Sequence, residues 1–241
     1  MRAIFAGLLA CFFFLPELAA GYTFSVSPIR VFFELNQKTT LLTIGNDEDV
    51  PLKLQIKLVS WTQSADGKDI YKDSDELIYY PRSMTLGPKE SRVVRLGIKA
   101  PMQEREVTYR QQIEDIPSET PVNQGASVNF RYRFSIPIFL PPRAPNRVSE
   151  IEGLTVKGGK IQLQIANRGN QHVRFDRIAV TTAAGFSKDG EVWYVLPGAS
   201  RLFQIEIPRE ECSRAGSIDV SAINEFATLM RSVTVRSEDC Q

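Results

Sequence analysis

The feature that most restricts this chain is residues 128–140, VNFRYRFSIPIFL. Val128, Phe130, Tyr132, Phe134, Ile136 and Ile138 form an unbroken apolar row at period two, interleaved with Asn129, Arg131, Arg133, Ser135 and Pro137. Alternate side chains of a strand point to opposite faces, so this stretch has one large apolar face and one wet, basic face. Extended at ~3.3 Å per residue it runs about 40 Å, roughly twice an ordinary strand. Pro137 has no amide hydrogen for a ladder, which suggests an edge or a bulge. A long apolar edge invites pairing with another chain, and most proteins blunt it. The row is therefore either a core strand of a β-sandwich or an edge that the chain has a use for.

The rest of the chain follows the same period. Residues 22–35 alternate around a break at Pro28, and residues 39–44 precede the polar turn Gly45-Asn46-Asp47-Glu48-Asp49. Leu52, Leu54, Ile56 and Leu58 alternate with Lys53, Gln55 and Lys57, a half-buried strand over residues 52–61. Residues 78–81, 83–86, 92–98 and 106–113 read as further strands, with turns at residues 65–68 and at Gly87-Pro88. Pro141, Pro142 and Pro145 then make a stiff, non-helical linker, and a domain boundary falls there. Beyond it, residues 151–156, 160–166, 173–181, 191–196, 200–207, 217–224 and 232–235 read as strands. No long amphipathic helix is evident. The expectation is an all-β chain of two immunoglobulin-like sandwiches, residues 22–142 and 143–241.

The N-terminus reads as a secretory signal over residues 1–21. Arg2 is followed by an apolar run at residues 4–15 and by small residues at Ala19, Ala20 and Gly21. The run is short for a bilayer span, so export is favoured over an N-terminal anchor, with the mature chain starting at Gly21 or Tyr22. Cys11 belongs to that segment. Cys212 and Cys240 remain, and in an oxidising compartment they are expected to form a disulfide.

Little points to catalysis. Net charge is +1, with no field that would draw nucleic acid or a membrane surface. His172 is the sole histidine, beside a turn, and reads as a surface residue. No nucleophile elbow, phosphate loop or dinucleotide fingerprint is present, and no Cys/His/carboxylate grouping suggests a metal. The chain reads as a non-enzyme without cofactor.

The order of Ser27-Pro28-Ile29-Arg30, Leu86-Gly87-Pro88, Val93-Val94-Arg95-Leu96, Tyr109-Arg110, Ile116-Pro117, the alternating row and the proline-rich linker resembles the PapD-like periplasmic pilus chaperones of the chaperone–usher pathway. Tyr109-Arg110 and the ending Ser135-Ile136-Pro137-Ile138-Phe139 look more like the archaic, Csu-type branch. The resemblance implies two immunoglobulin-like domains in a boomerang and a periplasmic role. It implies that a pilus subunit lacking its last strand is completed by a strand lent in trans, a known case of strand addition. The donors would be Val128, Phe130, Tyr132, Phe134 and Ile136. Arg30 matches the family's first-strand arginine, which holds the subunit's terminal carboxylate. The family's usual second anchor is a lysine late in the donor strand. This chain has none there, and Arg110 is the candidate in its place. Arg95 and Glu106 match positions that form an interdomain ion pair. The implied partners are pilus subunits and an outer-membrane usher, with self-capping as a homo-oligomer when free. The competing reading is an exported structural or adhesive pilus protein. It is disfavoured because the mature N-terminus runs straight into the first strand.

Overall fold

A computed structural model of the chain describes residues 24–99, 103–116 and 131–241. The expected signal segment, Val128 and Phe130 lie outside the described residues.

The first half contains β1 (Phe24–Ser27), β2 (Val31–Phe32), β3 (Thr39–Asn46), β4 (Leu52–Gln63), β5 (Asp69–Asp73), β6 (Leu77–Tyr80), β7 (Ser83–Leu86), β8 (Ser91–Ile98), β9 (Val107–Asp115) and β10 (Arg133–Leu140). The second half contains β11 (Ser149–Lys157), β12 (Lys160–Asn167), β13 (Val173–Thr182), β14 (Ser187–Asp189), β15 (Tyr194–Val195), β16 (Ser200–Glu206), β17 (Ser217–Asn224) and β18 (Thr228–Thr234). A short helix, α1 (Arg209–Arg214), and a 3-10 turn at Ser237–Cys240 complete it. The Cys212–Cys240 disulfide joins these last two pieces.

Two sandwiches result. In the first, the sheet β1-β3-β8-β6 packs on β2-β10-β9-β4-β5, with β7 paired to β4. In the second, β11-β12-β16 packs on β14-β13-β17-β18, with β15 paired to β13. Period-two burial explains the layers. Along β4, Leu52, Leu54, Ile56 and Leu58 point into the first core while Lys53, Gln55 and Lys57 face water. Ile161, Leu163 and Ile165 do the same on β12 in the second core. Each large side chain so buried is worth about 1.5–3 kcal/mol before ordering costs. The fold is all-β with two immunoglobulin-like sandwiches, as the strand pattern predicts.

Two departures from expectation affect the functional region. The strand read over residues 22–35 breaks at Pro28 as expected, but its two pieces do not stay in one sheet: β1 joins one and β2 the other, with the chain crossing between them at Pro28, Ile29 and Arg30. β5 was not expected, because nearly all of it is exposed and it shows no apolar alternation.

The sandwiches meet at a seam built of aromatic rings. Trp61 and Phe139 from the first pack with Trp193, Tyr194 and Leu196 from the second. Gln63 fixes the register from both ends of its amide: Nε2 donates to Tyr194 O at 3.0 Å, and Oε1 accepts from Leu196 N at 2.8 Å. The linker is tied down as well. Asn146 N donates to Asn170 Oδ1 at 2.7 Å, and Asn170 N donates back to Asn146 O at 2.9 Å.

Candidate functional site

β10 lies between β9 and β2, but the two neighbours cover it unequally. β9 pairs with it from Arg133 to Leu140. β2 runs parallel to it and pairs only with Ile138 and Phe139. Among the described residues, no strand lies beside the outer edge of residues 133–136. The ladder shows which groups face outward. Asp115 N donates to Tyr132 O, so the even-numbered residues exchange bonds with β9. Phe33 N donates to Phe139 O, so the odd-numbered residues address the outer side. Pro137 belongs to the outward set, and its missing N–H therefore takes nothing from the β9 ladder. The proline is accommodated without a bulge.

The even-numbered side chains line the mouth of the first sandwich. Ile138 is part of its core. Tyr132 and Phe134 are half-buried against that core, and the ring of Phe134 meets Phe24 edge-on at 4.7 Å. Ile136 requires a correction. It is only 3% exposed and belongs to this sandwich's own core, so it is not free for a partner. Arg133 on the opposite face is engaged at the surface by Glu114, 2.6 Å away.

The wet face of the same strands closes onto the second sandwich. Arg30 directly precedes β2 and falls level with Pro137, which is paired with Arg110. The three stand in one row across the sheet, so the backbones of Arg30 and Arg110 are about 10 Å apart. Their side chains end in different surroundings. Arg30 is exposed and lines a cleft of about 300 Å³ between the sandwiches, together with Phe32, Arg147, His172, Arg174 and Phe226. Arg110 is buried. Its guanidinium lies 3.8 Å above the Trp61 ring and within 6 Å of the Trp193 and Tyr194 rings. Nη1 donates to Ser135 O at 3.1 Å, while Nε and Nη2 are closed to solvent and have no hydrogen-bond partner. Burial pulls its pKa below the usual arginine value, yet an arginine stays charged. Arg110 is therefore held beneath the rings at the joint rather than exposed in the cleft, with two of its three guanidinium nitrogens unsatisfied. Sequence spacing placed it in the right row and could not show that three aromatic rings cover it.

The Arg95–Glu106 pair is also corrected. Arg95 lies on the exposed face of β8. Glu106 is buried, and its carboxylate binds His172 instead: Oε2 accepts from His172 N at 2.7 Å, and Nδ1 of the ring lies 2.8 Å away. His172 is correspondingly not a surface residue. Its ring is stacked on Phe139 with centroids 3.9 Å apart. A buried carboxylate needs a partner, and here the second sandwich supplies it.

Sequence reading missed Asp69 altogether. Its Oδ1 accepts from Trp61 Nε1 at 2.9 Å and from Gln63 Nε2 at 2.8 Å, and its Oδ2 accepts from Trp193 Nε1 at 2.9 Å. One carboxylate thus ties both tryptophans, one from each sandwich. The turn Asp66-Gly67-Lys68 ahead of β5 was the sole local signal nearby.

Comparison with known proteins places this geometry. The family model described as "Pili and flagellar-assembly chaperone, PapD N-terminal domain" matches residues 23–146, more than half of the chain. The chain is 26% identical over 197 residues to the protein named "Probable fimbrial chaperone EcpB" of Escherichia coli O157:H7, covering 78% of this chain and 84% of the relative. Its fold is that of a chain in the CsuC–CsuE chaperone–tip adhesion subunit complex of Acinetobacter baumannii, with a TM-score of 0.64, 21% identity and coverage of 86% and 98%. The YadV chaperone shares it too, with a TM-score of 0.58, 16% identity and coverage of 88% and 99%. The chain belongs to the PapD family of pilus- and flagellar-assembly chaperones.

Proposed function

We propose that this chain captures pilus subunits in the periplasm by donor-strand complementation and delivers them to an outer-membrane usher, in the manner of the archaic, Csu-type branch. The observation that carries the reading is the outer edge of β10, which β2 covers only at Ile138 and Phe139 while Tyr132 and Phe134 stand half-buried at the sandwich mouth. A subunit lacking a strand has unpaired backbone edges around an apolar groove. Residues 131–135 offer outward backbone groups at odd positions and apolar side chains at Tyr132 and Phe134, and in the sequence the same alternation continues back through Phe130 and Val128, so both needs are met by one stretch. Val128, Phe130, Tyr132 and Phe134 are the proposed donors. Without Ile136, the row is shorter by one side chain than the sequence pattern suggests.

Arg30 is the proposed anchor for the subunit's terminal carboxylate. It faces the cleft, has no ion-pair partner among the described residues, and its planar fork suits a carboxylate. The unit of residues 22–142 carries edge and anchor, and residues 143–241 close the cleft. The signal over residues 1–21 is cleaved on export, and no helix among the described residues is long and apolar enough to cross a membrane.

The test is co-expression with a cognate subunit. Replacing Phe130 and Tyr132 together by Asp should leave a folded chain that no longer co-purifies with the subunit. Subunit accumulating in the periplasm at the wild-type level with that variant would sink the donor-strand assignment.

A further inference from the structure

We propose that a groove beside β16, on the second sandwich, takes an extended peptide segment of a partner protein by strand addition, and that this segment carries a basic side chain for Glu191. The site is separate from the β10 edge and from the cleft that Arg30 lines.

β16 is the edge of its sheet. It pairs with β12 and, among the described residues, with no strand on its other side. Asn167 N donates to Ala199 O at 2.9 Å, and Ile207 N donates to Gly159 O at 3.0 Å, so along this ladder the odd-numbered residues bond to β12. The even-numbered residues turn their backbone groups outward. Both ends of that outer edge are closed. Ser200 N donates to Ala65 O of the first sandwich at 3.3 Å, and Lys188 Nζ donates to Glu206 O at 2.6 Å. Between these stops the outward N–H and C=O groups of Leu202 and Gln204, both exposed residues, have no partner among the described residues.

The connection from β14 to β15 comes close to this edge without pairing with it. A Cβ at Gly190 would stand 2.6 Å from the Ile205 side chain. Yet Gly190 N donates to Ile178 O at 2.8 Å and Trp193 O accepts from Phe175 N at 3.4 Å, so the connection bonds to the β13 side instead. What is left is a groove of about 730 Å³, walled by Leu202 and Gln204 on one side and by Glu191, Val192 and Trp193 on the other. Its walls are fixed in advance. The Trp193 indole is held by Asp69, and Arg201 Nη1 donates to Gly67 O at 2.7 Å. A preformed groove lowers the ordering cost of binding.

Backbone groups left over along an edge are matched by another backbone, so the occupant is an extended peptide. Charge narrows its sequence. Among the charged residues of the groove, Asp66 is paired with Lys68 at 2.8 Å, Glu206 with Lys160 at 2.8 Å, and Arg201 with Asp69 at 3.8 Å. Glu191 is exposed and has no ion-pair partner among the described residues. The groove therefore keeps an uncompensated negative charge beside the apolar surface of Val192 and Leu202, which suits a segment with one cation among apolar side chains.

The experiment uses the full chain and a capped, fluorescent heptapeptide in which threonine alternates with valine and the central valine is replaced by lysine. A second peptide has glutamate in place of that lysine. The wild-type chain should bind the lysine peptide about fivefold more tightly, and Glu191→Lys should reverse the order. Gln204→Pro deletes an outward N–H and nothing from the β12 ladder, and it should weaken both peptides about tenfold. Amide exchange in the wild-type chain gives a readout that needs no variant: bound peptide should slow Leu202 and Gln204 and leave Phe203, which bonds to β12, unchanged. If Leu202 and Gln204 stay fast at saturating peptide, no strand is added at β16 and the proposal fails. It fails too if Glu191→Lys leaves the order of the two peptides as it was. Slowing of the same amides with rising chain concentration and no peptide would assign the groove to a second copy of the chain, and would overturn the partner segment.

Discussion

The two flanks of the seam between the sandwiches use the same residue type in opposite ways. On one flank, Arg110 is roofed by rings and sits beside the Asp69 carboxylate, which holds Trp61 and Trp193. On the other, Arg30 and Arg147 look into an open cleft with no ion-pair partner among the described residues. Arg30 and Arg110 even start from one row of the same sheet. The difference lies in what the second sandwich brings up to each. Where it brings Trp193 and Tyr194, the cation becomes part of the joint. Where it brings Arg147 and Phe226, the cation stays free for a ligand. An arginine's position along a strand thus says which face it is on, and the neighbouring domain decides its use.

This contrast can be broken by measuring stability in urea for a graded set of variants. The largest effect should come from Asp69→Ala, which strands two indole N–H groups and one of the two N–H groups of the Gln63 amide and should cost about 3 kcal/mol. Asp69→Asn keeps an acceptor and should cost less. A loss below ~1 kcal/mol for Asp69→Ala would mean that the joint does not depend on this carboxylate. Next comes Arg110→Met, which removes a stacked cation but also two buried nitrogens that have no partner. These oppose each other, so the change should stay within about 1 kcal/mol in either direction. Subunit capture should be unaffected, and its loss would show that Arg110 is reached after all. The smallest effect should come from Arg30→Ala and Arg147→Ala. Both are exposed, and each should shift stability by no more than about 0.5 kcal/mol. A large loss from either would place it in the joint and erase the contrast.

What sequence could reveal follows the same division. The alternation of residues 52–61 is local, and β4 reproduces it in its burial pattern. Ser83–Leu86 is recovered as β7, and the paired cysteines are joined. These signals need only neighbours in the chain. The joint was hidden because its partners are far apart in sequence. Asp69 meets Trp193 across 124 residues, and Glu106 meets His172 across 66. Neither distance leaves a periodic trace. β5 lacked a trace for another reason: an exposed strand has no apolar face to alternate with. The proline linker marked where the sandwiches divide and carried no information about which side chains close over it. Likewise the row at residues 128–138 left core strand and edge both open, and the pattern alone could not show that Ile136 had already been taken into the core.

The central claim concerns the outer edge of β10, and amide hydrogen exchange reads that edge residue by residue. In the free chain, the amides of Arg133 and Ser135 address the open side and should exchange quickly, while that of Phe134, bonded to β9, should exchange slowly. With a cognate subunit bound, Arg133 and Ser135 should become slow and Phe134 should change little. If Arg133 and Ser135 remain fast in the complex, no strand is added at β10, and the account is contradicted.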